Sequence, residues 1–417
     1  MLNIDMDLKV KLYKEYLDNG GVEKIVFPEL LKELLKVKQL PNGKVNPVTI
    51  SPMVNAAMLA YVASQLDAPF TTDKYLAEYQ TILQKSIFFD QQTIDTKEQF
   101  EGLFDKYKNT NDILYRGLNE AKYRLYSSLQ RGWITRNFPE KNIAFSDYLK
   151  VLLENARQVH GGVLSNYFKI ANFDPNNDLA ILSFLQHYGC GTSLLDWTYS
   201  FANALYFATE RISTSATTWE VDQYLCVYFM QESDLEKGSL MNIIHTGLNK
   251  YREKYREDLK AQMLSGPFSK EQIEHYFSDD LIDRIFDISA GQGVITELTK
   301  IENLLTAPLL YFSDFKNEKA IRYSVNNSLN IVNQRGAFTW NADPVMPLEH
   351  VANEIVKKEN RNADYHFCQC ININKKIAPF IKEKLAELGV TKDFIYPDPQ
   401  EIAKQSFEKT LAKFNLL

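Results

Sequence analysis

Apolar residues three and four positions apart recur through the first 92 residues and predict helices there. Leu12, Tyr16 and Leu17 make a partial stripe that Gly20-Gly21 breaks, and Leu30, Leu31, Leu34 and Leu35 make a second apolar face. Ser51-Pro52 starts a further helix: a capping hydroxyl, then a proline whose missing N–H costs nothing in the first turn. Met53 to Leu66 is mostly apolar and needs cover on several sides, and Thr72-Asp73 opens another helix reaching about Phe89. The pattern predicts a helical N-terminal module over residues 1–92, with a change of character at Gln92-Thr93.

Beyond that point short apolar runs alternate with helical stripes. Thr96 and Glu98 lead a helix through Phe100, Leu103, Phe104 and Tyr107. A turn cluster, Asn109 to Asp112, precedes a short strand from Ile113 to Leu118 that carries Arg116-Gly117. A helix from Ser146 to about His160 stops at Gly161-Gly162, another covers Leu164 to Ala171, and Asp178 caps a third, Leu179 to Tyr188. Leu194 and Leu195 end a short strand with Asp196 and Trp197 at its mouth, and Thr198 and Ser200 are helix-capping types before a face of Ala202, Leu205 and Tyr206. Tyr224 to Met230, rich in aromatic and β-branched residues, predicts a strand near the middle of a sheet. Residues 233–290 read as a helical insertion whose lysines and arginines are offset by Glu253, Glu257 and Asp258, a solvated face rather than a nucleic-acid stripe. Later strands are expected at Leu309 to Phe312, at Asn330 to Trp340 as two pieces joined at Gln334-Arg335-Gly336, and at Cys368 to Ile373. A helix from Pro379 to Leu388 stops at Gly389, Phe394 to Pro399 is a turn, and Glu401 to Phe414 is a terminal helix. Short strands interleaved with helices make the class α+β, with one large domain over residues 93–417.

Composition changes this picture little. The chain of 417 residues is 45% hydrophobic and 24% charged, an ordinary globular balance. With 25 Phe and 23 Tyr, large rings should dominate the core. A net charge of −6 gives no global attraction for nucleic acid. The 4 cysteines are too sparse for a disulfide scaffold and point to a reducing, cytoplasmic setting. Cys368 and Cys370 lack further ligands nearby, so no metal is expected. No apolar run approaches the roughly 20 residues that span a bilayer, so no membrane is expected as a partner.

The densest chemistry lies between His187 and Thr209. Its polar residues have both functional and structural readings. Arg116, beside Gly117, suits a bidentate phosphate contact, or a scaffold pair with Asp196. Asp196 is a carboxylate at a site or a helix cap. His187 is half of a catalytic pair or a residue that satisfies a helix C-terminus. Gln334 bonds a ligand or a backbone bulge, Trp197 reads as core, and Cys190 is a thiol in a glycine-flanked loop.

Five segments in order resemble the FRG domain family: Tyr115-Arg116-Gly117, Ser128 to Arg131 (SLQR), Leu185 to Thr198 (LQHYGCGTSLLDWT), Ala204 to Ala208 (ALYFA) and Asn333 to Trp340 (NQRGAFTW). Gly389 to Lys404 also resembles the end of that domain. The family form GLPTRLLDWT has a proline and an arginine where this chain has Gly191 and Ser193, which removes one anion contact. The order of motifs is in turn similar to ADP-ribosyltransferases. That resemblance implies small mixed or antiparallel sheets in a split arrangement flanked by helices. It implies NAD as the nucleotide ligand and Arg116 as its phosphate or ribose contact. Tyr115, Gly117, Arg131, His187, Thr192, Ser193 and Thr198 would surround the pocket, and Gln334 would stand where a glutamate is usual. A neutral amide offers no countercharge to a developing sugar cation, so Asp196 is the best substitute, with Glu210 and Glu120 behind it. The implied role is an NAD-using effector in bacterial defence or a toxin-like setting, acting on a protein or nucleic-acid target. The alternative is a binding module that recognises a nucleotide, a nucleic-acid end or a phage protein without turnover. Both readings require Arg116, Asp196 and Gln334 to meet at one accessible hollow.

Overall fold

A computed structural model describes residues 76–86, 88–212, 220–233, 256–278, 295–315, 322–358 and 366–413. The stripes and caps read in residues 1–75, and the parts of the insertion at 234–255 and 279–290, lie outside the described residues. Within the insertion, 256–264 and Lys270–Ser278 are helical.

Seven strands form a single sheet: β1 (Phe89–Ile94), β2 (Ile113–Leu118), β3 (Leu194–Thr198), β4 (Tyr224–Gln231), β5 (Leu309–Phe312), β6 (Gly336–Asn341) and β7 (Cys368–Asn374). Their order is β1-β7-β4-β2-β3-β6-β5, with β1 parallel to β7 and the other neighbours antiparallel. With helices flanking the sheet, the architecture is α+β. The resemblance implied small sheets; the observed sheet is large, because two groups of strands are joined through β2 and β3. That junction is thin. β2 and β3 share one registered pair, Tyr115 with Thr198, whereas β2 shares six with β4 and β3 shares five with β6.

The helices follow local chemistry. α1 (Lys97–Tyr107) begins at Thr96, which accepts from the Gln99 N–H while the Gln99 side chain returns to the Thr96 N–H. It buries Phe100, Leu103, Phe104 and Tyr107. α2 (Ser128–Thr135) repeats the device with Ser127 and Gln130. α3 (Phe145–Ile170) is broken at residues 159–162, where His160, Gly161 and Gly162 all take positive φ. α4 (Asp178–His187) is capped by Asn177, not by Asp178. Asp178 instead pairs with Arg157 and accepts from the Ile301 N–H at 2.7 Å. α5 (Phe201–Glu210) is capped by Ser200, and α6 is Leu329–Gln334. α7 (Ala378–Glu387) gives way to Gly389 at φ 72°.

Four further local expectations are corrected. The helix read up to Phe89 gives way to strand β1, whose sequence FDQQTI buries only its two ends and so carries no period-two signal; pairing with β7 imposes the conformation. Leu194 begins β3 instead of ending a strand, so Asp196 and Trp197 lie inside it. Residues before Gly336 form α6, because Ile331 and Gln334 turn inward three positions apart and Arg335 stops the helix at φ 51°. Residues Lys392–Ile395 form a helical turn.

Three apolar clusters hold the sheet. One face carries two of them. The first, over β2, β4 and β7, is packed by α1, α5 and α7. The second, over β3, β5 and β6, is packed by α3 and α4. The third runs along the opposite face through Leu114, Trp197, Tyr228 and Cys370. The seam between the first two clusters falls where β2 and β3 part.

Candidate functional site

A cavity of about 270 Å³ opens at that seam. β2 lines it with Tyr115, Arg116 and Gly117, and β3 with Asp196, Trp197 and Thr198. Gln186 and His187 come from the end of α4, Phe207 from α5, Gln334 from the end of α6, and Tyr396 from the segment after α7.

The parting of the strands explains the arrangement. Past the Tyr115–Thr198 pair, the carbonyl of Asp196 has no registered β2 residue opposite it. The Arg116 guanidinium takes that place, donating from Nη1 to the Asp196 carbonyl at 2.6 Å. The same nitrogen lies 3.9 Å from Asp196 Oδ2. Oδ2 instead accepts from Gln186 Nε2 at 2.8 Å. Burial pushes the Arg116 guanidinium down to about 10, with Asp196 opposing and Arg131 adding to the shift, so it stays charged at neutral pH. Arg116 Nε, Asp196 Oδ1 and His187 Nε2 are buried atoms with no protein partner, and all three belong to residues on this cavity. Buried polar groups are normally bonded, and three such atoms belong to residues around this one hollow.

His187 sits edge-on to Phe338, with ring centroids 5.5 Å apart. Burial lowers its affinity for a proton, and Asp196 offsets part of the effect. The unfolded ring titrates near about 6.5, so below that pH the unfolded chain binds the extra proton first. Stability from this group is therefore complete above that range and is lost as pH falls toward the folded value. His187→Gln should flatten the fall in urea midpoint between pH 7.5 and 5.5 relative to wild type; an unchanged slope would assign the acid sensitivity elsewhere.

The remaining residues divide by strand alternation. The Tyr115 ring packs into the core against Tyr107, Phe201 and Phe229, and its hydroxyl meets Thr110 Oγ1 at 2.6 Å, so its ring is a core element and not a ligand contact. Thr198 is buried, donates to the Gln334 carbonyl at 2.5 Å and accepts from the Ser200 N–H. Thr192 and Ser193 are fully buried and do not line the cavity: Thr192 donates to Gln186 Oε1 at 2.7 Å, and Ser193 follows it into β3. Arg131 is exposed, off the cavity wall, and donates to the Tyr126 carbonyl. Gln334 is on the wall, but its amide donates to the Ile395 carbonyl at 3.1 Å. Trp197 is 2% exposed and donates to Thr339. Cys190 is half-buried, and burial raises its thiol pKa. Glu120 is off the cavity, held by Lys375 at 2.7 Å. Glu210 lies one contact back, 3.5 Å from the Tyr396 hydroxyl.

Residues 111–217 match the FRG domain family model. Over that segment the chain carries an FRG domain. No curated protein and no solved structure matches the chain. The FRG match contains every cavity residue from β2, α4, β3 and α5, while Gln334 and Tyr396 reach the same hollow from beyond it. Gln186, Phe207 and Tyr396 carried no sequence signal of their own. Each sat inside a segment that carries the resemblance, Gln186 in LQHYG, Phe207 in ALYFA and Tyr396 in Gly389 to Lys404, and that was the available hint. Among the described residues no group of three or more His, Cys, Asp or Glu is placed to hold a metal ion. No described helix is long and apolar enough to cross a membrane.

Proposed function

We propose that the seam cavity binds the nicotinamide–ribose end of NAD and that the protein breaks the bond between them, as an ADP-ribosyltransferase or NAD hydrolase would. One observation carries this reading: a guanidinium and a carboxylate held apart on one accessible hollow, each with an unpartnered buried atom. The cavity's size, near the roughly 300 Å³ lower bound of ligand pockets, suits one end of a dinucleotide. Breaking this bond builds positive charge on the sugar. Asp196 supplies the fixed negative charge opposite it, and Arg116 supplies a planar donor for phosphate. His187, neutral at neutral pH, adds a ring nitrogen able to bond a hydroxyl. The thin β2–β3 junction is what a split-sheet cleft requires. In a bacterial setting such an activity would act as a toxin-like or defence effector by consuming NAD.

Purified protein incubated with NAD should release nicotinamide, and calorimetry should show binding. Asp196→Asn keeps the shape and removes the charge. It should lower the release rate about a hundredfold with little change in KM, the scale of losing one preorganised electrostatic contact. Neither release nor binding by the wild type would end this reading.

A second reading rests on Gln334. Its Nε2 is used as a donor to the Ile395 carbonyl, a bond that glutamate cannot make. That favours a module that binds a nucleotide without turnover. Under it, Gln334→Glu loses the tie to Ile395 and gains no nicotinamide release, while Arg116→Ala abolishes nucleotide binding.

A further inference from the structure

Arg116 and Asp196 face one another but do not close. Their 3.9 Å separation is well beyond the roughly 2.7–2.9 Å of a charge-assisted hydrogen bond. Each is held by a third group: Arg116 by the Asp196 main-chain carbonyl at 2.6 Å, and the Asp196 carboxylate by Gln186 Nε2 at 2.8 Å. The Gln186 amide is itself fixed. Its Oε1 accepts from Thr192 Oγ1 at 2.7 Å and from Ser128 Oγ at 3.1 Å, so the N–H end must face Asp196. Ser128 also accepts from the Thr192 N–H at 3.1 Å, tying the start of α2 to the segment that leads into β3.

We infer that Gln186 is a positioning residue that holds the Arg116–Asp196 pair open for the ligand. Without its N–H, the carboxylate has one strong partner left within reach, the guanidinium, and the two charges collapse onto each other. Collapse brings Arg116 Nη1 onto Asp196 Oδ2, the two atoms now 3.9 Å apart, and turns both charged groups toward each other and away from a phosphate or a ribose. This role rests on the NAD reading for the identity of the ligand, but the open pair is a property of the protein alone.

The test uses the full chain with Gln186→Leu and Gln186→Glu. The leucine has similar size and no donor. The glutamate keeps the acceptor for Ser128 and Thr192 but sets a second carboxylate against Asp196. Crystal structures of both variants should show the Arg116–Asp196 gap closed to hydrogen-bond length. NAD affinity should fall about tenfold or more in Gln186→Leu, the scale of a hydrogen bond to a charged group. In Gln186→Glu the loss at pH 8 should recover toward pH 5.5, because adjacent carboxylates repel and take up a proton more readily. A merely structural role would produce no such pH profile. An open pair in the variants overturns the inference, as does unchanged NAD affinity in Gln186→Leu or a pH-independent loss in Gln186→Glu. If the wild type binds no NAD, the proposed function fails separately. The gap distance then decides alone: closure supports the inference and an unchanged gap overturns it. Should the leucine variant not fold, the same readings are taken from the glutamate variant.

Discussion

Gly117→Ala should cost about 3 kcal/mol or more, at the upper end of overpacking in a close-packed core. A Cβ at this position would sit 1.8 Å from the Ala204 carbonyl oxygen and 2.8 Å from both the Ala204 carbonyl carbon and the Ala208 nitrogen. All three are main-chain atoms inside α5, so no side chain can swing aside. Either α5 lifts off β2 or β2 bends away from β4, its six-residue partner. Both routes pull apart the cluster formed by Tyr115, Phe201, Ala204 and Leu205. Gly132 is the control. It lies inside α2 with nothing within 4 Å of an added methyl group, so Gly132→Ala should be neutral or stabilising by up to about 1 kcal/mol, the helix preference of alanine over glycine. Urea denaturation of the two variants checks the pair. Equal midpoints would mean that α5 does not press on β2. Because Phe207 of α5 lines the cavity, Gly117→Ala should also weaken any ligand bound there.

That contact shows why part of the molecule was readable from its sequence. Capping residues, glycine stops and apolar strands act over a few positions. Thr96 at the start of α1, the breaks at Gly161-Gly162 and Gly389, and strands β2, β4, β5 and β7 were therefore visible, whereas the Gln99 half of the Thr96 cap was not singled out. β1 was not, because four polar residues separate its two buried ends and only β7, some 280 positions away, makes it a strand. The segment before Gly336 misled because Ile331 and Val332 are β-branched, a weak preference that burial of Ile331 and Gln334 on one helical side overrode. The single large sheet was hidden because its two halves meet through one residue pair.

The candidate site divides in the same way. Motif order led to Arg116, Asp196, Thr198 and Gln334, which the fold gathers on one cavity. It also led to Thr192, Ser193 and the Tyr115 ring, which alternation and burial turn elsewhere. What no motif could state is orientation: that Gln334 points its amide at Ile395, or that Gln186 points its amide at Asp196. Those bonds join residues through space, and nothing in the identity of a glutamine declares its partner.

Arg124→Met should destabilise the protein by about 3–5 kcal/mol, the cost of leaving one member of a buried ion pair alone. Arg124 and Glu349 are both buried, with Arg124 Nη1 3.9 Å from Glu349 Oε1. Glu349 also accepts from the Tyr79 hydroxyl at 2.7 Å and the Leu125 N–H at 3.2 Å, and the guanidinium stacks on the Tyr79 ring at 4.4 Å. Burial raises the Glu349 carboxyl pKa, and Arg124 is the largest influence pulling it back. Removing Arg124 lets it rise further. A group whose folded value lies above its unfolded value stabilises at low pH, and that stability is lost as pH rises through the folded value. The variant should therefore be most damaged near pH 8 and partly restored near pH 5. Adding Glu349→Gln should recover stability at pH 8, since the uncompensated charge is gone. Chemical denaturation at the two pH values tests this, and a pH-independent loss would mean that packing, not charge, dominates. The consequence reaches the cavity. Arg124 and Leu125 lie just before Ser127 and Ser128, and the Leu348 N–H donates to the Leu125 carbonyl at 3.1 Å. Ser128 is one of the two hydroxyls that fix Gln186. Loosening the buried pair should thus blur the orientation of Gln186 and with it the gap between Arg116 and Asp196, so ligand affinity should fall with the same pH dependence as stability.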